Sequence, residues 1–150
     1  MSGAVFLMVR ASASRYHHGM GIQVTADDMA RLRNVLQASR GSTHRDHAHA
    51  AELERVLDRA DVVAEIAPDV VTMHSMVRVR DLESGKTAVY TLVFPADADI
   101  AQRRISVLAP IGTALIGARA GDRIEWRTPG GRRSLQVEAV LYQPETAAAA

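Results

Sequence analysis

Between residues 22 and 67 the apolar positions recur at the three- and four-residue spacing of an α-helix. The first series lies on one helical face: Met29, Leu32, Val35 and Leu36. Thr25 stands before this series with Asp28 three residues later, the spacing of a capping-box variant at a helix start. Gly41 suits the left-handed position beyond a helix end, so we expect the helix to stop near Arg40 and Gly41.

A second helical series follows after a few polar residues. Its apolar stripe has five members: Leu53, Val56, Leu57, Ala60 and Ala64. Asp46 is positioned to cap this helix. Because the connection is short, the two helices are expected to run antiparallel as a hairpin, a short coiled coil. The first arm has about 15 residues, which amounts to roughly 22 Å of rise.

From Pro68 the pattern changes to that of β-strands. The segment Val70–Val79 is rich in apolar and β-branched residues and predicts a strand that includes His74. Ser84-Gly85 is a hairpin signal, and the β-favouring segment Thr87–Phe94 follows it. Two adjacent strands joined by a tight turn are therefore expected here.

The last third of the chain combines further strands with one helix. The expected strands are Ile105–Leu108, Arg123–Thr128 and Leu135–Tyr142. Pro110 suits the first position of a short helix that reaches Gly117. Pro129-Gly130-Gly131 predicts a hairpin turn. The fold class is therefore α+β: a short N-terminal antiparallel helical hairpin followed by an antiparallel sheet with one short helix.

The length and composition of the chain indicate one globular domain with a helical appendage. The chain has 150 residues, of which 47% are hydrophobic, and its formal net charge is +1. That near-balance argues against broad electrostatic capture of nucleic acid. There is no cysteine, which fits a cytoplasmic location and excludes disulfides. No apolar run approaches the roughly 20 residues of a membrane span, and we expect a loose leader at 1–20 and a frayed tail at 146–150.

Motifs that would carry chemistry on their own are missing from the sequence. The glycines fit neither a dinucleotide-binding fingerprint nor a P-loop, and there is no zinc-protease or nucleophile-elbow motif. His44, His47 and His49 lie close together, but no cysteine or acidic cage accompanies them, so a solvated, pH-sensitive tip is the expectation. We predict no metal, no cofactor and no enzymatic activity.

Several local strings resemble one known family. They are Pro68–Ser75 (PDVVTMHS), Ile105–Gly117 (ISVLAPIGTALIG), Gly121-Asp122, Thr128–Gly131 (TPGG) and Tyr142–Glu145 (YQPE). Together with the preceding hairpin they resemble the regulator of nucleoside diphosphate kinase (Rnk) family, a branch of the Gre transcript-cleavage factors. The resemblance is strong over 68–145, looser over 22–67 and absent over 1–20. It implies a helical hairpin at 21–67 and a GreA/GreB C-terminal, FKBP-like domain at 68–145.

The resemblance also implies a partner and a contact site. In Gre factors the C-terminal domain docks at the rim of the RNA polymerase secondary channel. The matching docking loop consists of Leu108, Ala109, Pro110, Ile111 and Gly112. Cleavage factors can have an acidic residue where this chain has Leu108, so the contact chemistry differs at that position. No membrane and no specific nucleic-acid sequence are expected as partners, and the oligomeric state stays open.

The hairpin tip separates two mechanisms within that family. Cleavage-stimulating Gre factors hold Mg²⁺ with paired acidic residues at the tip, because magnesium prefers carboxylate oxygens. Here Asp46 is the lone acid, and Arg40, His44 and Arg45 accompany it. The resemblance and the tip sequence together predict a polymerase-binding regulator without transcript-cleavage activity.

Three alternative functions remain open at this stage. The first is a true cleavage stimulator, and the second is an FKBP-like prolyl isomerase or chaperone module. The third is weak, non-specific DNA binding through a set of arginines. These are Arg78, Arg80, Arg103, Arg104, Arg132 and Arg133.

Overall fold

The N-terminal part of the protein is a helical hairpin, as the periodicity predicts. The second helix ends at Asp58, so the predicted stripe positions Ala60 and Ala64 lie beyond it. The computed structural model describes residues 22–39 and 44–149, with the side chains at 44–47, 127 and 148–149 outside that description. The arms are helix α1 (Ala26–Ser39) and helix α2 (His44–Asp58). A short parallel pair, β1 (Gln23–Thr25) with β2 (Asp61–Val63), joins the two ends of the hairpin at its base.

The start of α1 confirms half of the predicted capping box. The Asp28 amide donates to Thr25 Oγ1 at 3.1 Å, so Thr25 caps the helix. Leu32 and Leu36 are buried, and the predicted face of α1 therefore points into the core. The predicted stop at Arg40-Gly41 lies outside the described residues.

The predicted cap of α2 is wrong. The helix already begins at His44, which places Asp46 inside its first turn instead of before it. Acidic residues favour the first turn of a helix as well as the cap position, so Asp46 still indicated the correct end of the helix.

The C-terminal part is a five-stranded sheet. Its strands are β3 (Met76–Asp81), β4 (Thr87–Val93), β5 (Arg104–Ser106), β6 (Arg123–Thr128) and β7 (Gly131–Tyr142). They lie in the order β5-β4-β3-β7-β6. Every neighbouring pair is antiparallel except β4 and β5. Two 3₁₀ turns at Pro95–Asp97 and Ile100–Gln102 bring the chain back to Thr91, so that β5 runs parallel to the last three residues of β4. The predicted antiparallel sheet is thus mixed at this one edge.

The segment before β3 corrects the predicted strand Val70–Val79. Ladder pairing begins only at Met76, and Val70 makes a single bridge to Arg119. His74, predicted as a strand residue, instead lies in a turn with φ of 68°. The Thr72 amide donates to Ser75 Oγ at 2.8 Å and closes this turn. The apolar character of the segment reflects burial, since it passes through the core with this one bridge and no ladder.

Two short helices complete the fold. Helix α3 (Pro110–Leu115) begins at the predicted proline, and Gly117 follows it with a φ of 77°. A Cβ on Gly117 would lie 2.3 Å from Ile22 Cβ, so the chain before the hairpin packs directly on the end of α3. Helix α4 (Pro144–Ala149) occupies most of the tail that was expected to fray.

One hydrophobic core joins the hairpin to the sheet. Its fully buried members come from both parts: Val24, Leu32, Leu53, Leu57, Val71, Met73, Val77, Leu92, Leu115, Ile124 and Val137. The predicted domain boundary at residue 68 therefore crosses continuous packing, and it stays a prediction. None of the helices in the described ranges is long and apolar enough to cross a membrane.

Candidate functional site

The predicted docking loop is fixed to the sheet at the end of β5. The Leu108 amide donates to Ser106 Oγ at 3.0 Å, and the Ala109 amide donates to Ser106 O at 3.0 Å. Just before them, the Val107 amide donates to Val93 O at 2.9 Å and continues the pairing with β4. The backbone that leads to Pro110 is thereby held in one conformation.

The other end of the docking loop is fixed by α3. Thr113 is buried, and its hydroxyl donates to Val107 O at 2.7 Å while its amide donates to Ala109 O at 2.9 Å. A Cβ at Gly112 would lie only 2.0 Å from Ser106 O, so the helix approaches the strand end at a distance that only glycine allows. This close approach explains why the loop contains a glycine.

The surface that the docking loop presents is apolar and neutral. Pro110 is exposed at the first position of α3, while Leu108 and Ile111 are half-buried against the core. No ionisable residue occurs between Val107 and Gly117. The loop can therefore recognise a partner by shape and apolar contact, and an ion pair at this position is excluded.

The hairpin lies on the same side of the molecule as the docking loop. Helix α2 packs against α3, and Leu53 and Leu57 are fully buried. The two arms are also linked by an ion pair between Arg33 and Asp58 at 3.1 Å. The hairpin therefore packs against the same short helix that presents Pro110.

The predicted tip residues lie largely outside the described part of the protein. Arg40 lies outside the described residues, and His44, Arg45 and Asp46 lie in the first turn of α2 with side chains outside the description. The 14 residues of α1 correspond to about 21 Å of helix between the base and the tip. In the described part of the chain, no group of three or more His, Cys, Asp or Glu side chains could hold a metal ion.

A polar network that the sequence did not reveal ties α4 to the segment before β3. The Gln143 side-chain amide donates to Ala67 O at 2.7 Å and to Val70 O at 2.8 Å. The Thr72 hydroxyl donates to Glu145 Oε1 at 2.7 Å. Two of the recognised strings, Pro68–Ser75 and Tyr142–Glu145, thus meet in space across more than 70 positions of sequence.

Asp28 brings the hairpin into contact with this same segment. Its carboxylate accepts a hydrogen bond from the Met73 amide at 3.2 Å. Burial raises the pKa of Asp28 to about 6; the Met73 bond opposes this, and the nearby charge of Glu145 adds to it. The only sequence signal was its capping-box position, which concealed this tertiary role.

The Gly121-Asp122 string is a turn before β6. Gly121 adopts a φ of 96° and its amide donates to Val137 O at 2.7 Å. The buried carboxylate of Asp122 accepts from the Arg119 amide at 2.9 Å. This pair shapes the entry to the sheet, and the geometry indicates a structural role.

Two known families match the chain at the hairpin and at the sheet. The Rnk N-terminus family matches residues 21–63, and the C-terminal family of the transcription elongation factors GreA and GreB matches residues 66–142. The chain belongs to the Rnk family within the GreA/GreB superfamily. The α+β architecture predicted from the sequence is confirmed, and the docking loop lies inside the GreA/GreB match.

Individual relatives agree with this family membership. The regulator of nucleoside diphosphate kinase of Escherichia coli K12 is 46% identical over 101 residues, which cover 65% of this chain and 74% of that protein. Transcription elongation factor GreA of Rhodospirillum rubrum is 33% identical over 153 residues, 81% of this chain and 98% of that protein. A solved GreA/GreB elongation factor from Nitrosomonas europaea superposes with a TM-score of 0.66 at 39% identity, over 81% of this chain and 98% of that one.

Proposed function

We propose that this Rnk-family protein regulates transcription by binding RNA polymerase at the rim of the secondary channel, without stimulating transcript cleavage. The observation that supports this most directly is the exposed Pro110 on a loop fixed at both ends. The docking loop Leu108–Gly112 makes the contact, and the hairpin enters the channel mouth beside it.

A preformed loop favours tight binding for its size. Ordering a flexible segment costs free energy at the moment of association, and a segment that is already ordered avoids this cost. The bonds from Ser106 and Thr113 order the docking loop in the free protein. Its apolar residues Leu108, Pro110 and Ile111 then supply the contact.

The tip sequence and the short arms of the hairpin support the proposal that this protein does not stimulate transcript cleavage. Between Ser39 and His47 the sequence has a single acid, Asp46, next to Arg45. One carboxylate beside cations is a poor magnesium site, because Mg²⁺ in proteins is bound through carboxylates and loses water reluctantly. The arms of 14 and 15 residues also limit how far the tip reaches.

Pairing of the arginines disfavours the alternative of non-specific DNA binding. Arg78 and Arg80 share Glu138, Arg132 pairs with Glu125, and Arg133 pairs with Asp81. Arg103 lies over the ring of Tyr90 at 5.7 Å. Most of the charge that a DNA backbone would require is thus engaged within the protein.

The docking prediction is tested by Pro110→Ala with Pro95→Ala as its control. Both prolines are exposed at the first turn of a helical segment, but only Pro110 lies in the docking loop. We expect Pro110→Ala to weaken binding to core RNA polymerase by about fivefold or more, as loss of a central contact does, and Pro95→Ala to stay within about twofold. Biolayer interferometry on the full chain measures both. Equal affinities would show that the docking loop is misplaced.

Two further assays separate binding from cleavage. GreA should displace this protein from core polymerase if both occupy the channel rim. In arrested elongation complexes with Mg²⁺, the protein should leave RNA cleavage at its background rate. No binding at micromolar concentration would refute the partner, whereas efficient cleavage would refute only the interpretation of the tip.

A further inference from the structure

The sheet has one covered face and one open face. The inner face contributes buried Val77, Val79 and Val137 to the core beneath α3. The opposite, outer face exposes Met76, Arg78 and other alternate residues to solvent. The docking loop leads into α3, whose buried Leu115 belongs to the core on the inner side.

Four exposed large apolar side chains cluster on the outer face. They are Met76 (39% exposed), Val89 (38%), Leu141 (46%) and Tyr142 (48%), and we call them the outer patch. Met76 is the register partner of Tyr142 on one side and of Thr91 on the other. Val89 is the partner of Arg78, two residues further along β3. Residues opposite one another in a ladder share a face, so Met76, Val89 and Tyr142 form one surface across three strands.

Two irregularities in β7 shape this surface. The pairing of β3 with β7 shifts register at two places, once from Met76 to Val77 and once from Arg78 to Val79. At these places Leu141 and Glu138 are extra residues of β7 that have no register partner on β3. The first bulge sets both Leu141 and Tyr142 against Met76 and widens the apolar area. The second brings the Glu138 carboxylate to Arg78 Nε at 3.1 Å and Arg80 Nε at 2.7 Å.

The rim of the outer patch is cationic. Arg78 and Arg80 border it on β3, and Arg104 borders it on β5 as the register partner of Thr91. Two carboxylates accompany these groups: Arg78 and Arg80 share Glu138, and Asp99 is the bridge partner of Arg104. Three guanidiniums against two carboxylates leave one net positive charge on the rim around an apolar centre.

We propose that the outer patch binds a second protein partner through a segment in which apolar side chains alternate with carboxylates. Apolar burial over Met76, Val89 and Tyr142 supplies affinity, and the arginine rim selects the acidic flanks. The area is small, which fits a transient contact. The proposal is independent of polymerase binding, since it concerns the other face of the sheet.

The composition of the surface favours this occupant over two others. Single-stranded nucleic acid binds through aromatic platforms that stack bases, and here Tyr142 is the one aromatic residue among three aliphatic ones. A second copy placed on the same patch would bring its arginine rim against an identical rim, with like charges facing each other. An acidic, apolar segment meets both the centre and the rim.

The test uses a ¹⁵N-labelled full chain and a synthetic ten-residue peptide of alternating Leu and Asp. We expect amide shift changes centred on Met76, Val89 and Tyr142, and weaker binding by at least tenfold for a peptide in which Lys replaces Asp. Val89→Thr should weaken binding by about threefold or more. Val62→Thr is the matched control, because Val62 is also an exposed strand valine (53%) outside the patch, and it should bind like wild type.

Each alternative occupant gives a distinct result that overturns the proposal. Equal binding of the Lys peptide would indicate non-selective apolar contact, and no shifts at millimolar peptide would indicate an inert surface. Oligodeoxythymidylate binding that Val89→Thr abolishes would assign the patch to nucleic acid. Concentration-dependent sedimentation that Val89→Thr abolishes would assign it to self-association. The Val89→Thr variant is expected to bind polymerase with the affinity of the wild type. This measurement separates the test of the outer patch from the test of the docking loop.

Discussion

At the scale of single residues, Asp28 is the most informative position in the chain. It lies in the first turn of α1, yet its carboxylate is bound to the Met73 amide beside the sheet. Burial is the largest influence on its pKa, which is raised to about 6. Ionisation of this buried group therefore costs free energy, although the ionised carboxylate binds the Met73 amide more strongly.

The raised pKa makes stability depend on pH in a stated direction. The unfolded pKa is near 3.8 and the folded pKa near 6, so between these values the folded state holds more protons. The free energy of unfolding should fall as pH rises from about 4 to about 6 and level off above. Asp28→Asn keeps an acceptor for the Met73 amide and should remove this slope, whereas Asp27→Asn on the same turn should retain it. Urea titrations at several pH values measure both, and an unchanged slope in Asp28→Asn would contradict the assignment.

Gly112 is the residue on which the shape of the docking loop depends. Gly112→Ala would place a Cβ 2.0 Å from Ser106 O, a backbone atom that cannot move without shifting β5. We expect a loss of at least ~2 kcal/mol in the free energy of unfolding. Gly130→Ala is the control, because its Cβ would meet only Thr128 Oγ1 at 3.9 Å, and it should change stability by less than ~0.5 kcal/mol. Chemical denaturation that gives equal values for both variants would refute the close approach.

At the scale of elements, the docking loop depends on one buried hydroxyl. Thr113→Val keeps the side-chain shape but leaves Val107 O without its 2.7 Å bond, which should cost ~1–3 kcal/mol. Thr128→Val removes an equal 2.7 Å bond to Gly131 O at an exposed turn, where water replaces it at little cost. Thermal melts and polymerase affinity compare the two. Polymerase affinity should fall for Thr113→Val alone, because only that change loosens the docking loop.

Local sequence signals predicted the elements that local forces form. Helical periodicity located α1 and α2, Pro110 located the start of α3, and Pro129-Gly130-Gly131 located the β6–β7 turn. The predictions of secondary structure are wrong where contacts between residues distant in sequence determine the conformation. Val70 and Val71 look like part of a strand but are buried in a segment with a single bridge. The direction of β5 follows from two 3₁₀ turns that have weak sequence signals.

The candidate site was predictable only in part, for the same reason. The family motif located Leu108–Gly112, but the fixation of that loop by Ser106 and Thr113 became visible only in three dimensions. The contacts of Thr72 with Glu145 and of Asp28 with Met73 join residues far apart in sequence. No periodicity or turn rule connects such pairs.

At the scale of the whole molecule, the hairpin and the sheet should unfold together because they share one core. Leu53, on α2, is fully buried in the same cluster as the sheet residues, so Leu53→Ala should cost ~2–5 kcal/mol. The helices report through far-UV circular dichroism, and Trp126, the single tryptophan, reports on β6 through fluorescence. Both transitions should shift together. The control substitution Glu54→Ala, at the exposed position next to Leu53, should shift neither transition. Different midpoints for the two probes would show that the hairpin and the sheet unfold independently.

The β1–β2 pairing has a consequence for how this architecture can vary. It joins the hairpin at its base, and Leu53 and Leu57 anchor α2 close to the same end, while Ala48 and Ala51 nearer the tip are exposed. Paired helical turns can therefore be inserted beyond that anchorage without disturbing the sheet. The length of the hairpin can therefore vary independently of the surface that we propose for docking.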